Sequence, residues 1–237
     1  MLIGGGDIQI NENIKIHHPT LGEIRDMGES KYYGLISTIC ATPSDYKSIL
    51  WDNFEIDYET VSDFEFFIML WSSLKDVDIT VILPEIVVSE FSPVQNTETK
   101  EVLLYNRSKN IEITESVYLE LSEYIRKFHG FEKRVDAAGN ETTKKYLIDK
   151  ARKELNRPNK KKNSSVLAPL VSAMVNCEQF KYDHKTVWSL NIYQFMDSVK
   201  RIQKIKSVDK TLNGIYSGSI DQKKISKDAL DWLGTLN

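Results

Sequence analysis

The spacing of the apolar residues changes twice along the chain, and this change limits the folds open to it. From residue 20 to residue 74 apolar residues recur every three or four positions, whereas residues 77–83, 85–91, 101–105 and 110–113 are rich in Val and Ile. Helical spacing returns after Thr114. The sequence therefore predicts a mainly α-helical α+β fold, with a small antiparallel sheet at about 77–113 inserted between helical parts.

Three helix-start signals divide the first helical part. Thr20, Thr42 and Ser62 each precede a carboxylate by three residues, the spacing at which side chains and backbone cap one another. We predict helices near 20–27, 29–40, 43–51 and 62–74. Their apolar faces are expected to form a core from Tyr32, Leu35, Ile36, Ile39, Phe64, Phe67, Ile68 and Trp71.

Four isoleucines near the N-terminus alternate with polar residues on either side of residues 11–13. This alternation predicts a short β-hairpin with one apolar face. Because a hairpin can add a strand to another protein, we take it as a candidate partner-binding element. The four residues are Ile8, Ile10, Ile14 and Ile16.

A polar, lysine-rich segment divides the chain in its second half. Residues 157–165 combine Pro, Asn and Ser with several basic residues, and we predict a basic linker there because such residues oppose packing. Residues 1–156 would then form an acidic helical part that contains the hairpin and the sheet, with further helices over 114–130 and 141–155. Residues 166–237 would form a basic helical C-terminal part that packs on the first, with helices over 166–177 and 190–207.

The net charge of −3, from 31 basic and 34 acidic residues, conceals an uneven distribution. Residues 1–143 hold 12 basic against 25 acidic residues, and residues 144–237 hold 19 against 9. Two uses of the basic part stay open: binding of a nucleic-acid backbone, or assembly by contact with the acidic part of another copy. The candidate nucleic-acid-binding residues are Lys160, Lys161, Lys162, Lys200, Arg201 and Lys204.

No residue pattern typical of a catalytic or cofactor site is found. His17 and His18 are adjacent, so on a strand their side chains point to opposite faces and cannot hold one metal ion. The acidic stretch 52–65 could supply two carboxyl groups for acid–base catalysis, but such a run more often forms a solvated rim. We therefore expect no enzyme activity, no metal and no cofactor, and keep an active site in 52–65 as a third alternative.

Cysteine use and hydropathy favour a protein made and kept inside the cell. Cys40 and Cys177 each lie among apolar residues and are too few for a disulfide framework, which is typical of a reducing compartment. The sequence shows neither a signal peptide nor an apolar run near the roughly 18 residues of a membrane span.

Both ends of the chain resemble uncharacterised structural proteins of phages and prophages of Gram-positive bacteria. The similar segments are residues 14–24, 28–33, 41–45 and 57–59, followed by 191–195, 201–205, 214–218 and 231–234. The resemblance implies a non-enzymatic role in virion morphogenesis, as a tail assembly chaperone or as a component of the tail or neck. It also implies other tail or neck proteins, or further copies of this chain, as partners. The expected location is the host cytoplasm during assembly, or the virion. Nucleic acid stays the less favoured partner, and no membrane is expected.

Overall fold

The computed structural model describes residues 4–97, 100–157 and 165–236. Within these ranges the chain forms nine α-helices and two small antiparallel sheets, so the prediction of a mainly α-helical α+β fold is confirmed. The helices are α1 (Leu21–Met27), α2 (Glu29–Ile39), α3 (Lys47–Phe54), α4 (Asp63–Trp71), α5 (Glu115–His129), α6 (Glu141–Leu155), α7 (Leu167–Val175), α8 (Ile192–Tyr216) and α9 (Lys227–Leu230). The strands are β1 (Ile8–Asn11), β2 (Ile14–Ile16), β3 (Ser92–Gln95), β4 (Val102–Asn106) and β5 (Ile111–Ile113).

The predicted N-terminal hairpin is present as β1 and β2. The two strands pair antiparallel, with Ile8 opposite Ile16, and the register shifts between Gln9 and Asn11. A bulge of this kind bends a strand and alters which way its side chains point. Ile14 and Ile16 are completely buried, so β2 contributes side chains to the core.

The prediction of strands over 77–83 and 85–91 is wrong. The backbone there makes local turns instead, in which the N–H of Ile82 donates to the carbonyl of Ile79 and that of Ile86 donates to Leu83. The side chain of Asp78 caps the first turn by accepting from the backbone N–H of Thr80. The apolar side chains of this segment are buried, as they would be in a strand. Successive turns bury them instead, and the backbone hydrogen bonds are made within the segment.

The second sheet is an antiparallel meander in the order β3–β4–β5. The strands predicted at 101–105 and 110–113 are confirmed as β4 and β5. Strand β3 is not predicted, because Pro93 reads as a break between strands. Pro93 lies instead within β3, an edge strand, where a residue without an N–H is tolerated.

Helices α3, α4 and α6 pack around a compact apolar cluster. Its buried members are Ala41, Leu50, Tyr58, Phe66 and Ile148. The predicted boundary signals hold at Ser62, whose side chain accepts from the N–H of Glu65, and at Gly130, which ends α5 with a φ of 69°. Helix α8 continues nine residues past its predicted end at 207.

Two compact units make up the described chain. One contains residues 4–5, 20–22 and 165–236, and the other contains 6–19 and 23–157. In the first unit, which we call the C-terminal unit, the N–H of Leu21 donates to the carbonyl of Leu190 at 2.8 Å, and Thr20 forms a β-bridge with Asn191. The second is called the main unit. The units change over at 164/165, within the predicted linker 157–165; packing of the C-terminal part on the first stays a prediction.

The two units do not divide the charge where the sequence does. The main unit, taken over residues 6–19 and 23–164, holds 21 basic and 27 acidic residues, and the C-terminal unit holds 10 and 7. The contrast is smaller than across residue 143 because α6 and the predicted linker, both basic, fall on the acidic side. Much of the difference in charge across residue 143 therefore lies within the main unit.

Candidate functional site

An open cleft of about 1210 Å³ lies in the main unit. Its walls come from the start of the hairpin, from the later part of α1, from α2, and from residues 73–84. We call it the hairpin cleft. The turns over 77–86 help to position it, because the carbonyl of Ile82 accepts the backbone N–H of His17 at 2.8 Å and so fixes this segment to the end of β2.

His17 is the centre of the polar wall of the cleft. Its Nδ1 lies 2.8 Å from Oδ1 of Asp7, and its Nε2 lies 3.2 Å from Oε1 of Glu23. Burial alone would lower the pKa of His17, but the hydrogen bonds to the two carboxylates outweigh it, so this pKa lies above 6.5. Since carboxylates only accept, the protonated ring donates from both nitrogens and ties the hairpin to α1.

Lys15 extends this network to the segment after α4. Its Nζ lies 3.2 Å from Oε1 of Glu85 and 3.8 Å from Oδ2 of Asp7. The side chain is about one third exposed, so solvent screens both pairs and they contribute specificity more than stability. The contacts of Lys15 and His17 hold the hairpin, α1 and the segment after α4 in a defined relation.

The rest of the cleft has an apolar floor and an acidic rim. Its apolar lining comes from the partly buried Met27, Val77 and Val81, with Leu35 and Leu74 fully buried behind them. Carboxylates outnumber basic side chains among the lining residues by five to three: Asp7, Glu23, Asp26, Asp76 and Asp78 against Lys15, His17 and Lys31. A cleft with this lining favours a ligand that is apolar on one side and positively charged.

A buried aromatic cluster joins the hairpin to α5. The ring of His18 packs 4.9 Å from that of Phe128, and neither of its nitrogens has a hydrogen-bond partner. Burial lowers the pKa of His18, so the ring is neutral at pH 7. The adjacent histidines thus serve different purposes: His17 lies between two carboxylates on the wall of the cleft, and His18 lies in the core.

The acidic stretch 52–65 is bound to basic residues elsewhere in the main unit. Nε of Arg152 donates to Asp52 at 2.8 Å, and a second nitrogen of the same guanidinium donates to the other carboxylate oxygen. Nζ of Lys144 lies 2.6 Å from the carboxylates of both Asp57 and Glu59. Both basic residues lie on α6, so these ion pairs hold α6 against the acidic stretch.

These contacts lower the pKa values of the carboxyl groups. The hydrogen bond from Arg152 lowers the pKa of Asp52. Burial raises the pKa of Asp57, but the hydrogen bond from Lys144 outweighs burial and lowers it overall. The N–H of Ala138 and the side chain of Lys144 lower the pKa of Glu59. A general acid needs a raised pKa. Asp52, Asp57 and Glu59 therefore have a structural role, as ion-pair partners of Arg152 and Lys144.

A buried lysine fixes the irregular segment after α5. Lys47 is 1% exposed; its Nζ donates to the carbonyl of Ser44 at 2.8 Å and also to the carboxylate of Asp136. The N–H of Asp136 donates back to Oγ of Ser44 at 3.0 Å. These contacts hold residues 134–136 against the start of α3. The sequence gives no signal for them, because about 90 residues separate the partners.

The residues predicted to bind partners have mixed environments. Ile14 and Ile16 are completely buried and Ile8 and Ile10 half-buried, so the apolar face of the hairpin is used within the main unit. Contacts to a partner through these side chains stay a prediction.

The predicted nucleic-acid-binding residues are not brought together as one free surface. Lys160, Lys161 and Lys162 lie outside the described residues. On α8, Nη1 of Arg201 donates to the carbonyls of Trp232 and Gly234 at 2.6 and 3.0 Å, and Nζ of Lys204 donates to that of Thr235 at 3.1 Å. Lys200 is exposed. Arg201 and Lys204 thus hold the C-terminal tail on α8.

Neither a metal-ion site nor a helix fit to cross a membrane is found in the part of the chain that the structure describes. No group of three or more His, Cys, Asp or Glu side chains among them is arranged to hold a metal ion. In the same residues, no helix combines the length and apolar character that crossing a membrane requires.

Comparison with known proteins yields one partial match. Residues 159–237 match the family model named YomV second domain, which covers 79 of the 237 residues. The name comes from a prophage-type protein of Bacillus, and the match suggests a phage-related protein. No curated protein matches the chain significantly, and no solved structure does. The matched range begins in the predicted linker and takes in most of the C-terminal unit.

Proposed function

We propose that the protein acts in phage virion morphogenesis by contact with other proteins of the tail or neck, and without catalysis. The match of residues 159–237 to a prophage-type domain carries this proposal, because it agrees with the resemblance of both chain ends to phage structural proteins. The hairpin cleft supports the contact mode of action, since it is open and has a charged rim.

The geometry of the acidic stretch supports a non-catalytic role. Asp52, Asp57 and Glu59 are committed to Arg152 and Lys144, and their lowered pKa values are the opposite of what a proton donor at neutral pH requires. His17, on the wall of the cleft, has both ring nitrogens in contact with carboxylates, those of Asp7 and Glu23.

Deletion of the gene from the phage or prophage that encodes the chain tests the proposal. We expect electron microscopy to show incomplete particles, with tails absent or heads and tails unjoined. A plasmid copy should restore complete particles, and the same copy with an early stop codon should not. Normal yields of complete, infectious particles after deletion would contradict a role in assembly.

Mass spectrometry of purified particles separates the two forms of the proposal. A component of the tail or neck stays in the particle in fixed stoichiometry with other tail proteins. An assembly chaperone is abundant in the infected cell and absent from the particle. In either case we expect the purified protein to bind tail or neck proteins equally well after divalent metal ions have been removed.

A further inference from the structure

We infer that the hairpin cleft is the docking site for a basic, amphipathic segment of a partner protein. This inference rests on the proposed function, because it names the kind of partner that a protein acting by contact would bind. Three features of the cleft carry it: its size, its apolar floor beneath a carboxylate rim, and the wall fixed by the contacts of His17 and Lys15.

The size of the cleft favours a polypeptide over a metabolite. Its volume of about 1210 Å³ exceeds the range of roughly 300–1,000 Å³ that is typical of small-molecule sites. It is also open to solvent, whereas small ligands are usually enclosed on most sides. A helix that lays one apolar face into a groove is a common way for proteins to recognise such a surface.

The charge of the rim indicates a basic segment. Asp76, on the segment after α4, is exposed, and so is Asp26, near the end of α1, although it also pairs with Arg25 at 2.8 Å. A cationic side chain can therefore reach either carboxylate. Among the other lining residues, Met27, Val77 and Val81 are only partly buried and offer an apolar surface. A partner segment with lysines or arginines flanking apolar anchors complements both features.

The occupant comes from another protein and not from a second copy of this chain. The C-terminal unit has only three more basic than acidic residues. Within it, Arg201 and Lys204 already bind tail carbonyls. The apolar face of α8 is used as well, since Phe195 and Val199 are buried.

Fluorescence anisotropy with two labelled peptides tests the inference on the full-length protein. The first is an amphipathic peptide of Leu and Lys at helical spacing, of about 14 residues and roughly 20 Å long as a helix. The second has Glu in place of each Lys. We expect the Lys peptide to bind, to bind less tightly as salt is raised, and to bind at least about tenfold more tightly than the Glu peptide.

Charge reversal at the rim locates the binding. The double variant Asp26→Lys/Asp76→Lys should lose at least about tenfold in affinity for the Lys peptide. The matched control, Glu112→Lys/Glu120→Lys, makes the same change of charge on exposed side chains that do not line the cleft, and should bind as the wild type does. Asp26→Asn/Asp76→Asn should give a smaller loss. Circular dichroism should show that all three variants are folded.

Several outcomes would overturn the inference. Equal losses in the two Lys variants would mean attraction to net charge alone, and equal binding of both peptides would remove the role of the rim. Salt-sensitive self-association of the wild type in sedimentation, abolished by Asp26→Lys/Asp76→Lys, would make a second copy the occupant. Failure of these tests leaves the deletion experiment on particle assembly unaffected. Conversely, peptide binding together with normal particles after deletion would contradict the proposed function alone.

Discussion

The hydroxyl of Tyr32 lies 2.5 Å from Nε2 of His129, which is 97 residues further along the chain. Nδ1 of His129 lies 2.8 Å from the carbonyl of Ile125, to which it can only donate. The neutral ring therefore has its proton on Nδ1 and accepts the Tyr32 hydroxyl proton at Nε2. Burial lowers the pKa of His129 to about 4, so this neutral form is the one present at pH 7. The contact joins α2 to α5.

Replacement of Tyr32 by Phe should destabilise the protein by about 1–3 kcal/mol, because Nε2 of His129 would lose its partner in a largely buried place. Tyr33→Phe is the matched control: Tyr33 is half-buried and follows Tyr32 directly, and its change should stay within about 0.5 kcal/mol. Urea unfolding at pH 7 measures both. Equal losses would mean that the hydrogen bond to His129 contributes nothing specific.

Acidification should lower the stability from about pH 6.5 downward. The pKa values of His129 and His18 are lowered on folding, so the unfolded chain binds more protons than the folded protein in this range. For His129, between its unfolded value of 6.5 and about 4, the loss in unfolding free energy approaches roughly 3 kcal/mol. Urea unfolding at several pH values measures the slope, and His129→Phe should reduce it. A flat profile between pH 7 and 5 would contradict this prediction.

His17 should titrate in the opposite direction. Its pKa is raised by Asp7 and Glu23, so its contribution to stability is present below pH 6.5 and is lost as the pH rises through the folded value. An NMR titration of the imidazole protons should place His17 above 6.5 and His18 and His129 below it. Asp7→Asn should move the His17 midpoint down and leave that of His129 in place. A wild-type midpoint for His17 at or below 6.5 would disprove the bridge to the two carboxylates.

Lys47→Met should destabilise the protein by about 2–4 kcal/mol, because the substitution leaves Asp136 without its closest cation and the carbonyl of Ser44 without a donor. Lys145→Met removes the same charge from an exposed site on α6, and we expect almost no change there. The double variant Lys47→Met/Asp136→Asn should cost less than the sum of the two single changes. Strict additivity would show that the pair is not coupled.

Arg201→Ala should release the C-terminal tail from α8. Its guanidinium provides two hydrogen bonds to tail carbonyls, and Lys204 alone provides one to Thr235. Hydrogen exchange at residues 231–236 should become faster, while exchange in the middle of α8 should change little. Lys200→Ala, on an exposed neighbouring side chain, is the control. Unchanged exchange in the tail of Arg201→Ala would contradict the assigned contact.

The sequence predicts those elements whose signals are local. The hairpin, the start of α4 at Ser62 and the end of α5 at Gly130 depend on residues within a few positions of one another, and all three are found. The turns over 77–86 are missed because Val and Ile are common both in strands and in other buried segments. Only the local backbone hydrogen bonds distinguish a buried turn from a strand.

The hairpin cleft could not be predicted for a different reason. Asp7 precedes β1, His17 follows β2 and Glu23 lies in α1, so their meeting depends on the register of the hairpin and on where α1 begins. Lys15 and Glu85 are 70 positions apart, and Lys47 and Asp136 are 89 apart. No spacing rule connects residues at such separations.

The hydrogen bond from Leu21 to Leu190 affects the order in which the chain can mature on the ribosome. Residues 20–22 are made early but belong to the unit that residues 165–236 complete, so they must wait for the last third of the chain to emerge. Gly22 lies so close to the carbonyl of Trp188 that a Cβ there would meet it at 3.1 Å, which ties the identity of this early residue to the late segment. A gene fragment starting at residue 159 would therefore lack residues 20–22, whose backbone pairs with Leu190 and Asn191. Exchange of that fragment between genes would leave behind the residues that pair with its own backbone.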